Sequence, residues 1–327
     1  MILNRNTILP AAPAAKPVQY ALKALHRDFD RVFTDTAAPG GRILLTINDT
    51  LPAEQYTLTV DADTLLLSAA DDLGFVYGLF EISRRFLGVQ PFWFWNDQPF
   101  TVREGEKIPV GTVVESKSYK VKYRGWFVND ETLLSHWKVE RRANLPFVMA
   151  FEPLLRLGGN MVIPGTGKNA VLYSRTADDL GHIITPHQAP PQGAEKLDQA
   201  YPDLEPMYSK YPEKFRALWQ AGIDAQKDMR VIWNIGFRGQ GDKPFWDDDP
   251  QYDTPEKRGA LISALIKEQY DLVKANDKHA VCCTNLYGET MELYKDGFLH
   301  LPEDVIKIRA DYGYGKKVRR RQGNSNP

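Results

Sequence analysis

From Tyr123 onward, short apolar runs alternate with longer helical patterns, and this alternation limits the fold more than any other feature of the chain. The apolar runs are Gly125–Val128, Asn160–Ile163, His182–Thr185, Arg230–Trp233, Ala280–Thr284 and Val305–Arg309. Helix-period stretches lie between them, clearest at Glu213–Ile223 and Ala260–Tyr270, with a marked helix start at Thr254-Pro-Glu256. Strands separated by helices pair side by side in the same direction and are covered by those helices. About six such units are present, against the eight that close an α/β barrel. The expected fold class is therefore α/β, a (β/α)8-type (TIM) barrel that is incomplete, preceded by a small α+β domain.

That first domain is read over residues 18–112, and the barrel region over 120–327. A helical pattern runs from Val18 to Phe33, and strands follow at Arg42–Ile47, Tyr56–Val60 and Thr64–Ser68. Asp71–Phe86 reads as an amphipathic helix with Val76, Leu79, Phe80, Ile82 and Phe86 apolar, ended by Gly88. The run Pro91-Phe-Trp-Phe-Trp95 has two readings, a stacking platform for sugars or packing between the two domains. Packing is the stronger reading, because aromatic side chains dominate buried contact area.

Bulk properties exclude several classes. Lys and Arg total 41 against 42 Asp and Glu, so no global charge draws the chain to nucleic acid or to an anionic membrane. No run of about 18 apolar residues exists to span a bilayer. Met1–Pro10 has no signal-peptide apolar core, which taken literally leaves the chain in the cytoplasm. The six His are dispersed without metal-ligand spacing, so a metal site is not expected. Cys282 and Cys283 are adjacent and would face opposite sides of a strand, which suits buried thiols and not a disulfide.

The polar residues that follow the apolar runs carry the chemistry. In α/β barrels the loops after the strands hold the active site. The first run ends in Asn129, Asp130 and Glu131; the third in His187 and Gln188; the fourth in Arg238 and Asp242, within Arg238-Gly-Gln-Gly-Asp242; the fifth in Tyr287 and Glu289; the sixth in Asp311. Carboxylates gathered with His, Arg and Tyr on one rim suit hydrolysis of a sugar bond, which needs one protonated and one ionised carboxyl. An Arg fork pairs with a sugar carboxylate through two bonds. The candidate catalytic residues are Asp130, Glu131, Asp242, Glu289 and Asp311, and the candidate substrate-binding residues are Asn129, His187, Arg238 and Tyr287. Each has a plainer reading: Asp130 as a helix cap, Glu131 and Glu289 as helix-start charges, His187 as a loop residue, Asp311 as turn chemistry with Gly313, and Arg238 as half of a loop-holding ion pair.

The segments Tyr123–Glu131, Arg156–Pro164, Thr185–Gln188, Gly236–Asp242 and Ala310–Gly315 together resemble the glycoside hydrolase family 115 α-glucuronidases. Gly74–Ser83 and Pro91–Trp95 resemble that family's N-terminal module. The resemblance implies an N-terminal domain like the one that precedes hexosaminidase barrels, then a catalytic barrel that the chain leaves truncated at its C-terminal side. It implies an inverting enzyme that removes α-1,2-linked glucuronic acid or its 4-O-methyl ether from xylan, without a cofactor. Glucuronoxylan or a related uronic-acid-bearing glycan is then the partner, a homodimer the candidate assembly, and a periplasmic or extracellular location the expected one. The chain departs from the family pattern at Gln188-Ala-Pro-Pro191, where a Glu is absent, at Gln240 in place of Asp, and at Arg309 in place of an aromatic. The lost Glu favours the competing reading, a non-catalytic carbohydrate-binding protein or inactive fragment on the same scaffold. A hydrolase acting on uronic acids of a different glycan is a third.

Overall fold

The computed structural model describes every residue except 12, 132–133, 135–136, 138, 140, 188–189, 240–242 and 310–327. The chain divides into two compact units, Met1–Gly165 with Leu172–Ile184, and Thr166–Val171 with Thr185–Pro327.

In the first unit β1 (Ile2–Leu3) precedes α1 (Lys16–Val32). Three strands follow: β2 (Arg42–Ile47), β3 (Tyr56–Asp61) and β4 (Thr64–Ala69). Then come α2 (Asp72–Ile82), β5 (Glu106–Lys107) and β6 (Val113–Glu115). β2, β4, β3 and β6 form one mixed sheet in that order, with β2 and β4 parallel, and β1 pairs with β5. Alternation along β4 turns Leu65, Leu67 and Ala69 inward, as its period-2 pattern requires.

α2 starts where the Asp71 carboxylate accepts the Gly74 N–H at 2.7 Å. It is not the amphipathic helix expected. Nearly its whole surface is buried, because α1, β4 and α3 (Leu145–Arg156) enclose it. Gly78 permits the approach to the sheet, since a Cβ there would lie 2.3 Å from Leu67 Cδ1. A wide turn over Ser83–Leu87 ends at Gly88, whose left-handed φ of 78° glycine adopts without penalty.

The same unit holds β7 (Gly125–Phe127), β8 (Met161–Ile163) and β9 (Ile183–Ile184), a parallel ladder in chain order, together with most of α4 (Gly167–Leu180), which precedes β9 in the chain. α3 contains an internal proline, Pro153, which has no N–H to give the carbonyl of Met149 four residues back. The indole N–H of Trp95 donates to that carbonyl at 2.6 Å. Beneath α3 lies a buried charged cluster of Glu152, Arg156, Arg27 and Asp28.

The second unit contains α5 (Leu197–Ala200), α6 (Pro212–Gln226), β10 (Ile232–Asn234), α7 (Pro255–Asn276), β11 (Val281–Leu286), α8 (Glu289–Lys295) and β12 (Ile306–Arg309). β10, β11 and β12 form a second parallel ladder. α6 buries Phe215, Trp219 and Ile223, and α7 buries Ile262, Leu265 and Ile266; they pack with Ile235, Cys282 and Leu286 into one core. Cys282 and Cys283 are buried free thiols, and burial pushes Cys282 up to about 11 and Cys283 higher still.

The parallel β/α reading therefore matches strand by strand. Among the described residues the six strands form two three-stranded ladders, and no closed barrel is present. None of the described helices is long and apolar enough to cross a membrane.

Candidate active site

Each ladder positions one cluster of the residues singled out above. In the first unit, β7 is anchored at its start by Arg124, whose guanidinium donates to Glu54 at 2.5 Å and to the Gly158 carbonyl at 2.8 Å. The amide of Asn160 donates to Glu54 and to the Lys122 carbonyl, both at 2.7 Å. The strand is thereby held at one end, and its other end delivers Asn129, Asp130 and Glu131. Asn129 and Glu131 are exposed, whereas Asp130 is 0% exposed. Burial, and then the charge of Asp130, push the Tyr173 hydroxyl up. Tyr173 stacks on Phe147 with ring centroids 3.7 Å apart.

In the second unit the chain leaves β10 through Ile235-Gly-Phe-Arg238. Phe237 is sunk among Tyr208, Phe215 and Phe245, with ring centroids 5.3 to 5.6 Å away. Arg238, the next residue, reaches Glu289 through two bonds, Nε to Oε1 at 2.6 Å and Nη2 to Oε2 at 3.1 Å. Its guanidinium carbon also lies 5.1 Å from the centre of the Tyr287 ring. Tyr287 and Glu289 belong to the exit of β11, where Gly288 takes φ 53° and ψ −124°, a conformation reserved for glycine. The structure thus brings Arg238, Tyr287 and Glu289 together from two neighbouring strand ends. His187 is half-buried on the segment that follows β9, and Asn234 of β10 holds that segment by donating to the Pro186 carbonyl at 3.2 Å. Asp242, Asp311, Gln188 and Gln240 lie outside the described residues.

One contributor escaped the sequence reading. Gln269 on α7 is 0% exposed and grips Gly236 from both sides: its Oε1 accepts the Gly236 N–H at 2.8 Å and its Nε2 donates to the Gly236 carbonyl at 2.9 Å. The clamp fixes the backbone two residues before Arg238. A signal did exist in the sequence, because Ile262, Leu265, Ile266 and Val273 mark the buried stripe of α7 and Gln269 is a polar residue within it.

Residues 116–326 match the sequence profile of Glycosyl hydrolase family 115. The chain belongs to glycosyl hydrolase family 115. No curated protein matches this family 115 chain significantly in sequence. Among solved structures, it is similar to a family GH115 4-O-methyl-α-glucuronidase with specificity for decorated arabinogalactans. That match has 20% identity and a TM-score of 0.74, covering 94% of this chain and 45% of that one. It also resembles a chitobiase from Flavobacterium johnsoniae, at 14% identity and TM-score 0.54, covering 93% of this chain and 52% of the other. A third likeness is the GH20 β-N-acetylhexosaminidase of Streptomyces coelicolor A3(2), at 10% identity and TM-score 0.58, covering 98% and 68%. The chain thus spans about half the length of the first two, and these likenesses are of fold.

In this family 115 chain Gln269→Leu is expected to cost about 1–3 kcal/mol of stability, because it strips both partners from the half-buried Gly236 backbone. Urea denaturation measures it. A loss no larger than that of an exposed glutamine such as Gln199 would remove the clamp from the account.

Proposed function

We propose that this chain carries catalytic machinery for removing α-1,2-linked glucuronic acid, or its 4-O-methyl ether, from xylan or a related glycan by inverting acid/base hydrolysis. The proposal extends to architecture: an N-terminal module over 18–112, and a region over 120–327 whose two parallel ladders belong to a (β/α)8-type barrel. Support comes chiefly from family membership over a stretch that includes every strand exit discussed above. The named activity of the arabinogalactan-specific relative agrees with a uronic-acid substrate.

In this reading Arg238 receives the substrate carboxylate, with Tyr287 and His187 beside it in the binding role, and Asn129 contacts the sugar at the first exit. The acid and base come from among Asp130, Glu131, Asp242, Glu289 and Asp311. Inversion requires the working pair to stand about 6.5–9.5 Å apart, leaving room for the attacking water.

A second reading is favoured by the two-point bond between Arg238 and Glu289: the arginine would serve to lock the β10 and β11 exits, leaving a glycan-binding scaffold without turnover. Arg238→Lys separates the two. Lysine keeps the charge but loses the fork. For the recognition role, release of glucuronic acid from an aldouronic acid should fall about ten- to a hundredfold in kcat/KM, since a charge-assisted hydrogen bond contributes roughly 1.5–3 kcal/mol. Binding of a neutral xylo-oligosaccharide should be unchanged. Equal losses for charged and neutral ligands would assign Arg238 to the locking role instead.

A further inference from the structure

We propose that an aromatic cleft in the first unit is a binding site for the neutral sugar rings of a polysaccharide main chain. The cleft has a volume of about 1570 Å³ and is lined by Phe94, Trp95, Trp126 and Trp137, with Asn129 and Asp97 among its polar groups. The rings of Phe94, Trp95 and Trp137 form one continuous cluster, with centroids 5.2 to 5.8 Å apart. Trp137 is 41% exposed despite its size, so part of a large flat ring is left in water.

Three observations point to sugar. Pyranose rings present a face of polarised C–H groups, which pack on the electron-rich face of an indole or phenyl ring. A few polar side chains among many aromatic ones is the composition that fixes a small polar ligand in orientation. The volume exceeds the roughly 300–1,000 Å³ of a pocket for a single compact ligand, which suits a run of several linked sugars. The cleft is also continuous with the β7 exit: Asn129 lines it, and Asp130 follows in the chain. The inference rests on the hydrolase reading for the identity of the sugar, but its own evidence is the cleft.

Two of the aromatic residues are structural anchors, Trp93 donating to Glu152 at 3.1 Å and Trp95 to Met149. Trp137 is the residue to change. The whole chain is titrated with neutral xylohexaose by calorimetry, and independently by its tryptophan fluorescence. The hexaose should bind, Trp137→Ala should weaken it about three- to tenfold, and Trp137→Phe, which keeps an aromatic face, should restore most of the loss. Release of glucuronic acid from an aldouronic acid is assayed in parallel. Hexaose binding that depends on Trp137 without any release would uphold the cleft and sink the hydrolase reading. Release without hexaose binding, or binding indifferent to Trp137→Ala, would overturn the cleft. A dimer that dissociates on Trp137→Ala, with no sugar bound, would assign the cleft to a second copy and also overturn it.

Discussion

Glu152→Ala is expected to destabilise the chain by about 3–5 kcal/mol, the usual cost of removing one partner from a buried ionic cluster. Glu152 is 1% exposed, and both carboxylate oxygens are fully engaged. Oε1 accepts from Arg27 at 2.7 Å, Arg156 at 2.8 Å and Trp93 at 3.1 Å; Oε2 accepts from the Tyr20 hydroxyl at 2.5 Å and Arg27 at 3.0 Å. Arg156 also reaches Asp28 at 2.6 Å, and Asp28 accepts from Ser83 at 2.5 Å. Deleting the carboxylate would strand buried positive charge among α1, α2 and α3. Burial by itself would push Glu152 up, but Arg156 and Arg27 outweigh it and hold the carboxyl well below its ordinary range. The folded state thus prefers the ionised form. Its contribution is complete above the unfolded value of about 4.3 and fades as pH falls below that. The gap between wild type and Glu152→Gln in urea denaturation should therefore be widest near pH 7 and narrow below about pH 4. A gap that widened in acid would contradict the assignment.

The second large effect concerns turnover. Under the proposed hydrolysis, with Asp130 as the acid or the base, Asp130→Asn should lower kcat on an aldouronic acid by about a hundred- to ten-thousandfold, the range for losing a group that moves a proton in the transition state. The substitution preserves shape and removes only the ionisable function, so KM should move little. Glu131, exposed beside it, is the natural comparison: its Gln variant should lose less if Asp130 holds the proton-transfer role. A purely structural Asp130 would behave differently, with a lower melting temperature and unchanged turnover per folded molecule.

Much of the fold was legible because period and punctuation agreed. The β2 run Arg42–Ile47 was bounded by Gly41 and Asn48, and Thr254-Pro255 announced α7 with an N-cap and a proline in its first turn. α3 was not legible, because Pro153 in its interior argues against a helix when only the sequence is in view. The burial of α2 on nearly every side depends on helices distant in sequence, which no local window contains.

The site was legible in part for the same reason. Arg238, Tyr287 and Glu289 could each be placed at a strand exit from the preceding apolar run, but the pairing of Arg238 with Glu289 spans 51 residues and follows from two parallel neighbours in register. Asn129 and Asp130 were found likewise, yet exposure of one and burial of the other is a property of packing. Gln269 was not legible because the clamp comes from a neutral side chain on a helix and not from a charged residue after a strand.

The bond from Trp95 to the Met149 carbonyl links two choices that evolution would otherwise make separately. A proline inside α3 leaves a carbonyl without its usual helical donor, and the indole nitrogen of a residue 54 positions from Met149 supplies one. Phenylalanine at 95 would keep the ring and lose the donor, while alanine at 153 would bring back the amide and make the indole redundant. Positions 95 and 153 are therefore a pair whose tolerated residues depend on each other, and descendants of this sequence should exchange them together.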